Sequence, residues 1–373
     1  MRPWSGARGQ SPLDTWVSVL GRLLAIAASR CDTPPPSHCQ DPFLACRGTT
    51  GRGVSQTSGS CPGQIGCGRH LWYLAAVTIR PPSREWNRVH SAPRQWSSIV
   101  MRPGDVVIST PPKCGTTLLQ GIVCSLLWPE GGAPDDLWET SPWVDLRFND
   151  SDTFTNLEAQ THRRFLKTHT PADAIPIDDR CRYIGVYRDL RDALMSWANH
   201  RTATQRFVIE ALNEMSAADG PTPLDPDWDG DLDPLFDELM SEFTPLEHLQ
   251  TWWDLRAEPH VLLVHFNDLR TDLEGEMRRI ADFLEIVVPD ELWPEVVRRC
   301  SLGEMREAGR KIEKIGVGFE GGADAFFHQG TNGRWDGALT DSLSARIDDA
   351  LSTLPPDAAA WLQQGSIARG ERP

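Results

Sequence analysis

The sequence predicts an α/β fold in which a central parallel sheet carries helices on both faces within a single domain. Short apolar runs rich in Val and Ile alternate with segments of helical periodicity, which is typical of such sheets. The first apolar run passes through a turn with Pro and Gly directly into an apolar helix, and this order indicates a P-loop-like arrangement. Of the 373 residues, 40% are hydrophobic, which is enough for one large core.

These patterns place the individual elements. We predict strands at Val106–Thr110, Arg164–Thr168, Tyr183–Tyr187 and Val261–His265, where short apolar runs occur. We predict helices at Thr116–Leu127, Leu190–His200, Leu235–Arg256, Leu273–Leu284, Leu292–Cys300 and Asp341–Leu354, where apolar residues recur every three or four positions. The acidic, Pro-rich stretch from Ala217 to Pro234 has neither pattern, so we expect a surface loop or lid there.

The first 82 residues differ from the remainder in composition. Gly, Ser, Pro, Arg and Cys dominate them without a sustained period, so we predict a disordered extension at 1–82, a domain at 83–368 and a tail at 369–373. A start codon assigned too far upstream would give the same composition as a real extension. The apolar stretch from Trp16 to Ala28 is interrupted by Arg22 and is shorter than the roughly 20 residues that span a bilayer. We therefore expect no membrane anchor, with a targeting signal as the alternative.

Charge and cysteine content indicate which kinds of partner and which cellular compartment to expect. The formal net charge is −15, and residues 83–373 alone carry −20, because residues 1–82 contain eight Arg and no Lys against three Asp. An acidic surface repels phosphate polymers, so we expect a small neutral or cationic molecule as partner and no nucleic acid. The nine Cys form no C-x-x-C pair, which favours free thiols in a reducing compartment and predicts a cytoplasmic protein.

The strongest functional signal is the segment that joins the first strand to the first helix, Pro112-Lys113-Cys114-Gly115-Thr116-Thr117. Backbone N–H groups at a helix start are unpaired and lie at the positive end of the helix dipole, so they bind anions. Lys113 and the two Thr hydroxyls supply further donors. Pro112 and Val107 stand where a Walker A loop requires Gly, which weakens an ATP-type interpretation. A Gly-containing turn with a surface Lys is the alternative.

This segment resembles the P-K-S-G-T-T phosphosulfate loop of the cytosolic-type sulfotransferase family, and the preceding Arg102-Pro103-Gly104-Asp105 resembles that family's approach to its first strand. The resemblance implies transfer of a sulfuryl group from 3′-phosphoadenosine 5′-phosphosulfate to a hydroxyl or amine of a small acceptor, without a metal ion. It also implies that Lys113, Cys114, Gly115, Thr116 and Thr117 bind this co-substrate, and that Lys113 takes part in the chemistry.

Lys167 and His169 stand at the end of the second predicted strand, one residue apart, so both lie on the same side of an extended chain. A lone His at a strand end is more often structural. Residues 167–171 resemble the family's K-T-H-x-P segment, which implies that His169 removes the acceptor's proton and that Lys167 contacts the sulfuryl group.

Arg188 follows the third predicted strand, and Ser196 lies two turns into the next helix. Ligands bind outside the carboxyl ends of strands in open α/β sheets, so Arg188 is well placed for a phosphate. A solvated Arg–Asp cluster that caps the helix is the alternative. In the family, an Arg and a Ser at this spacing hold the 3′-phosphate, and the resemblance assigns this role to Arg188 and Ser196.

Residues 326–335 resemble the family's R-K-G-x-x-G-x-W segment, which folds over the 3′-phosphate. His328 and Gln329 stand where the family has two cations, so the resemblance carries over only to Gly330. Leu118 replaces a Trp that stacks on the adenine, and Leu302 replaces a Phe. Stacking on a base is worth roughly 1–3 kcal/mol, so these departures predict weakened affinity for the co-substrate.

Two rival functions remain open at this point. A P-loop kinase or NTPase shares the phosphate cradle but would require Mg²⁺, and a non-catalytic protein of the same fold would have lost nucleotide affinity. The acidic stretch 225–230 lacks the Glu that a calcium loop needs, and without a Cys/His cluster no metal is assigned. The oligomeric state stays open. Five loop aromatics suggest an apolar acceptor, unless they belong to the core: Trp138, Trp143, Phe148, Phe154 and Trp228.

Overall fold

The computed structural model of the chain describes residues 78–367, 369 and 370. Its strands are β1 (Ile79–Arg80), β2 (Val106–Ser109), β3 (Phe165–Thr168), β4 (Ile177–Asp178), β5 (Arg182–Tyr187) and β6 (Val261–His265). Strands β3, β2, β5 and β6 lie side by side in this order and pair in parallel, whereas β1 pairs antiparallel with β4. The predicted parallel sheet is therefore confirmed, and the carboxyl ends of β2, β3 and β5 meet at one edge.

Helices cover both faces of this sheet. They span Thr116–Leu127, Leu137–Thr140, Ser151–Ala159, Leu190–Ala203, Arg206–Ser216, Leu232–Glu242, Pro245–Trp253, Phe266–Thr271, Leu273–Phe283, Trp293–Arg299, Leu302–Arg310, Glu313–Gly318, Gly322–Phe326, Asp341–Leu351 and Pro356–Gln364. Alternate residues of β2 face opposite sides: Val107 packs in one hydrophobic cluster, while Val106 and Ile108 pack in the other. Because both faces are buried, the strands are mostly apolar, and their polar residues stand mainly at the strand ends.

One predicted helix is wrong. The stretch Leu235–Arg256 divides into two helices, Leu232–Glu242 and Pro245–Trp253. Thr244 between them has a left-handed φ of 37°, and Pro245 occupies the first turn of the second helix, where its missing N–H is tolerated. The first of these helices also begins inside the predicted loop 217–234, since Asp231 caps its N-terminus.

The predicted extension at 1–82 falls mainly on residues 1–77, which lie outside the described residues, as does the apolar stretch from Trp16 to Ala28. Ile79–Arg80 is paired with Ile177–Asp178, and the N–H of Thr78 donates to Oδ2 of Asp179 at 3.0 Å. The paired chain thus starts before Ser83, the predicted first residue of the domain. None of the helices in the described ranges is long and apolar enough to cross a membrane.

Candidate active site

The loop after β2 has the backbone features of an anion-binding nest. Gly115 precedes the helix Thr116–Leu127 with a φ of 113°, and no side chain of the described residues caps this helix. A Cβ atom at Gly115 would lie 2.8 Å from Cδ2 of Phe266, so both the left-handed backbone and the limited space require glycine. Lys113 also has a left-handed φ, 65°. The first N–H groups of the helix are thus available to an anion.

The other predicted residues of this loop contribute in different ways. Cys114 is 2% exposed, and burial raises the pKa of its thiol to about 12, so its side chain is neutral at pH 7. Oγ1 of Thr116 lies 2.5 Å from Oγ1 of Thr110, which ties the helix start to the end of β2. Thr117 is half-buried on the first turn. Cys114 therefore offers its backbone to a ligand, and Thr116 is already engaged within the protein.

Lys113 lies among several cations. Its Nζ is 3.1 Å from Nδ1 of His200. Burial, followed by the positive charges of Lys167, Arg188 and Arg334, lowers the pKa of Lys113 to about 7. Like charges lower the pKa of a lysine where several cations face one region, and an anion bound among them would raise it again.

His169 follows β3 and has a defined tautomer. It is 5% exposed, and its Nδ1 lies 2.6 Å from the carbonyl oxygen of Thr110. Because a carbonyl oxygen only accepts hydrogen bonds, Nδ1 carries the proton and Nε2 keeps its lone pair. Burial, and then the charge of Lys167, lowers the pKa of His169 well below its ordinary value of 6.5. The imidazole is neutral at pH 7 and can accept a proton at Nε2.

Lys167 lies on β3 beside His169. Its Nζ lies 4.4 Å from the ring centre of Trp143 and 5.9 Å from that of Trp138. Burial lowers the pKa of Lys167 to about 8, and the carboxylate of Asp145 opposes this effect. The structure therefore brings together the three residues that the sequence predicted for the chemistry.

Arg188 follows β5 and connects two loops. Its Nη2 donates to the carbonyl oxygen of Thr331 and to Oδ1 of Asn332, both at 2.7 Å, in the loop of residues 326–335. Its Nη1 lies 3.4 Å from the carbonyl oxygen of Lys113 in the nest. The 326–335 loop thus reaches the carboxyl end of β5.

Two other arginines hold the 326–335 loop from helices distant in sequence. Arg306 donates to the carbonyl oxygens of Phe327 and His328, and Arg270 donates to that of Gly330. Gly330 has a left-handed φ of 61°, which a glycine adopts without strain. The backbone of this loop is therefore fixed by cations from outside it.

Arg334 adds a cation that sequence reasoning missed. His328 and Gln329 stand where the resembled family has cations, but Nη1 of Arg334 lies 3.4 Å from Nδ1 of His328. Nε of Arg334 is buried without a hydrogen-bond partner in the described part of the chain. After burial, its charge is among the causes that lower the pKa of Lys113 and of Arg188. The guanidinium therefore adds to the positive potential at both side chains.

Ser196 and His200 lie one turn apart on the helix Leu190–Ala203, and Ser196 is half-buried. The ring of His200 stacks on Trp197 with a centroid distance of 5.2 Å and an interplanar angle of 21°. Burial, and then the charge of Lys113, lowers the pKa of His200 well below 6.5, so the neutral ring accepts a hydrogen bond from that lysine. The sequence offered no signal for His200, because its partner is 87 positions away.

Aromatic rings surround the two histidines. His169 has one ring edge-on at 4.5 Å and a second at 6.2 Å, and His200 has neighbours at 4.8 and 5.9 Å. Together with the ring stacked on His200, these side chains are Trp143, Trp197, Phe243, Phe319 and Phe326. An acceptor next to His169 would therefore meet a largely apolar wall.

The five loop aromatics named above lie in different parts of the structure. Trp138 and Trp143 lie over the ammonium group of β3. Phe154 and Trp228 pack against the main hydrophobic cluster instead, and Phe148 packs against a smaller one. These last three are partly buried against hydrophobic clusters, which supports the alternative that they belong to the core.

The sequence matches the family model of the sulfotransferase domain over residues 103–359. The glycolipid sulfotransferase of Mycobacterium bovis (strain BCG / Pasteur 1173P2) is 33% identical over 298 residues, which cover 73% of this chain and 91% of the relative. Sulfotransferase 1E1 of Cavia porcellus is 24% identical, over 66% of this chain and 81% of the relative.

Solved structures show the same fold. Mouse sulfotransferase SULT7A1 complexed with PAP has a TM-score of 0.56 at 18% identity, over 76% of this chain and 97% of that chain. Retinol dehydratase in a complex with retinol and PAP has a TM-score of 0.54 at 19% identity, over 69% of this chain and 82% of that chain. The family model covers more than half of the chain, and the mycobacterial relative extends this likeness along most of its own length. The chain therefore belongs to the sulfotransferase family and is a sulfotransferase.

Proposed function

We propose that this sulfotransferase transfers a sulfuryl group from 3′-phosphoadenosine 5′-phosphosulfate to a hydroxyl or amine of a small, apolar acceptor. The observation that carries the proposal is the 2.6 Å hydrogen bond from Nδ1 of His169 to the carbonyl oxygen of Thr110. This bond links a neutral base to the loop that carries Lys113 and the uncapped helix start. A base and an anion nest thus occupy one edge of the sheet.

The nest and the cations around it suit a nucleotide with two phosphate groups. We assign the 5′-phosphosulfate to Lys113 and the backbone N–H groups of residues 114–117, with the hydroxyl of Thr117 and, when Thr110 donates to Thr116, the hydroxyl of Thr116. We assign the 3′-phosphate to Arg188, Ser196 and the backbone at Gly330. The buried Nε of Arg334, which lacks a partner among the described residues, is suited to the same phosphate.

No metal ion forms part of this proposal. Within the described ranges, no group of three or more His, Cys, Asp or Glu side chains could hold one. Lys113, Lys167 and Arg188 supply the positive charge that the reaction needs.

The reaction follows from these positions. Nε2 of His169 accepts the proton of the acceptor's O–H or N–H group while the acceptor atom forms a bond to sulfur. The bond between sulfur and the bridging phosphate oxygen breaks, and its electron pair stays on that oxygen. Lys113 stabilises the charge that develops there, and Lys167 stabilises the oxygens of the moving group. Such loose, in-line transfers depend on positioning and charge stabilisation.

The acceptor class follows from the aromatic wall. The mycobacterial relative is named for glycolipids, and the retinol dehydratase structure contains retinol, so both names refer to molecules with large apolar parts. The acidic body of this chain disfavours a sulfated polymer. Buried free thiols at Cys114, Cys181 and Cys300 support a cytoplasmic location, because a reducing compartment preserves them.

Calorimetry with adenosine 3′,5′-bisphosphate, without metal and with EDTA present, tests the co-substrate. We expect saturable binding at one site. No heat at high micromolar ligand would overturn the proposal and favour a protein of the same fold that has lost nucleotide affinity.

His169→Ala tests the base. Acceptors from phenols, sterols and glycolipids are screened by release of the bisphosphate, and turnover of the best one should fall by about 10²–10⁴-fold in the variant. His162→Ala is the matched control, since His162 is half-buried against Trp128 and Phe165 and away from the nest. Full turnover in His169→Ala would refute the assignment.

A further inference from the structure

Asp145 is a buried carboxylate that the reaction above does not use. It is 0% exposed and lies in the loop before the helix Ser151–Ala159. Trp96 and Trp143 donate to it through their indole N–H groups, and Thr168 and Thr170 donate through their hydroxyls. Burial raises the pKa of Asp145, whereas each of these donors favours its ionised form. Four donors on one buried side chain indicate a defined structural task.

Two of the donors flank His169 in sequence. Thr168 Oγ1 lies 2.6 Å and Thr170 Oγ1 lies 2.7 Å from the same carboxylate oxygen, Oδ2. The N–H of Thr170 also donates to Oγ1 of Thr168 at 2.9 Å, which closes a small ring around the intervening residue. The backbone on both sides of His169 is thus fixed to Asp145.

A third donor supports the side chains of the site. Nε1 of Trp143 lies 2.5 Å from Oδ1 of Asp145. The same indole packs edge-on against His169 at 4.5 Å and lies 4.4 Å from Nζ of Lys167. One carboxylate therefore holds the ring against which both side chains rest.

Asp145 also affects the protonation of Lys167. The titratable groups whose charges act on Lys167, or on which its charge acts, are Asp145, Lys113, His169 and His200, and Asp145 is the carboxyl group among them. In its ionised form, which its four donors favour, Asp145 favours the protonated form of Lys167, which the proposed transfer requires.

We propose that Asp145 is a positioning residue that fixes the orientation of His169 and Lys167 for sulfuryl transfer, an inference that rests on the proposed function. It acts through Thr168, Thr170 and Trp143 and does not touch the reacting atoms. Removing it should disturb the base without weakening the binding of the nucleotide.

The test compares Asp145→Asn, Thr170→Val and Thr170→Ser with Asp178→Asn. Asp145→Asn keeps the size of the side chain but turns an amide N–H₂ group toward one of the donors. Thr170→Val removes one hydroxyl beside His169, and Thr170→Ser keeps that hydroxyl. Asp178 is the matched control, because it is equally buried and bonded by a side chain, but it pairs with Arg180 near the start of β5. Thermal melts confirm that each variant is folded.

The first readout needs no co-substrate. Ring ¹⁵N shifts of His169 in the free protein, assigned with His169→Ala, should show a single tautomer with a proton on Nδ1. Asp145→Asn and Thr170→Val should mix the two tautomers, whereas Thr170→Ser and Asp178→Asn should match the wild type. If Asp145→Asn does not fold, the comparison of Thr170→Val with Thr170→Ser decides whether these hydrogen bonds orient His169.

The second readout separates positioning from binding. In Asp145→Asn, kcat should fall by about 100-fold, the usual effect of a small misplacement, while the Kd for adenosine 3′,5′-bisphosphate stays within about twofold. An unchanged ring spectrum and kcat would overturn the inference, as would an equal loss in Asp178→Asn. If the wild type binds no bisphosphate, the proposed function fails, and the ring spectra still decide the role of Asp145.

Discussion

The two loops that meet at Arg188 are built in different ways. The nest of residues 111–117 derives its geometry from its own sequence: Gly115 supplies the left-handed turn, and the helix behind it supplies unpaired N–H groups. The 326–335 loop derives its geometry from elsewhere, because Arg188, Arg270 and Arg306 hold its carbonyl oxygens. The geometry of the nest is therefore a local feature of the sequence, whereas the geometry of the 326–335 loop depends on long-range contacts.

Among residues of the nest, Lys113 should have the largest effect on kcat when it is replaced. Lys113→Ala removes the cation expected at the leaving oxygen, so kcat should fall by about 10²–10³-fold, as when a donor to a developing charge is lost. Steady-state kinetics with a saturating acceptor measures this change. Lys311→Ala is the control, because Lys311 is an exposed lysine paired with Asp135. If both variants kept wild-type kcat, the nest would not hold the reacting group.

Arg334→Ala tests the 326–335 loop. Hydrogen bonds to charged groups contribute about 1.5–3 kcal/mol, so the Kd for adenosine 3′,5′-bisphosphate should rise roughly 10–150-fold. Calorimetry gives the value, and Arg310→Ala is the control, since Arg310 pairs with Glu307 and Asp324 at the surface. An unchanged Kd would mean that Arg334 does not replace the missing cations at His328 and Gln329.

The sheet and the nest could be predicted because their signals are short-range. The helix Thr116–Leu127 and the strand Val261–His265 have the predicted bounds, since apolar period and turn residues determine them locally. The break at Thr244 was missed because apolar residues recur across it, although Pro245 was a readable signal.

The remaining site residues depend on contacts that no local pattern records. His200 reaches Lys113 across 87 positions, and Asp145 reaches Trp96 across 49. In sequence they are a single His on a helix and a single Asp in a loop, and both types are usually structural or solvated. Only folding brings them to the carboxyl ends of β2 and β3.

Gly115→Ala measures how strictly the nest geometry is set. The new Cβ would meet buried Phe266 at 2.8 Å on a left-handed backbone, so the free energy of unfolding should fall by about 1–3 kcal/mol. Urea denaturation measures the loss. Gly316→Ala, where a Cβ meets no atom within 4 Å, is the control and should be neutral or slightly stabilising. Equal stability of the two variants would contradict the steric argument.

The pH dependence of binding connects the two loops, because burial, followed by the charges of Lys167, Arg188 and Arg334, lowers the pKa of Lys113 to about 7, and Arg334 belongs to the 326–335 loop. Above pH 7 the free protein has lost this proton, and a bound bisphosphate should restore it, so binding should take up close to one proton at pH 8.5. Affinity should then fall with rising pH by at most tenfold per unit, while the phosphates stay ionised. Calorimetry in two buffers of different ionisation enthalpy measures the uptake. Lys113→Arg stays protonated and should take up fewer protons, only those that Lys167, whose pKa is about 8, contributes. An equal proton uptake in Lys113→Arg would assign the proton to another group. It would contradict the claim that Lys113 links the two loops.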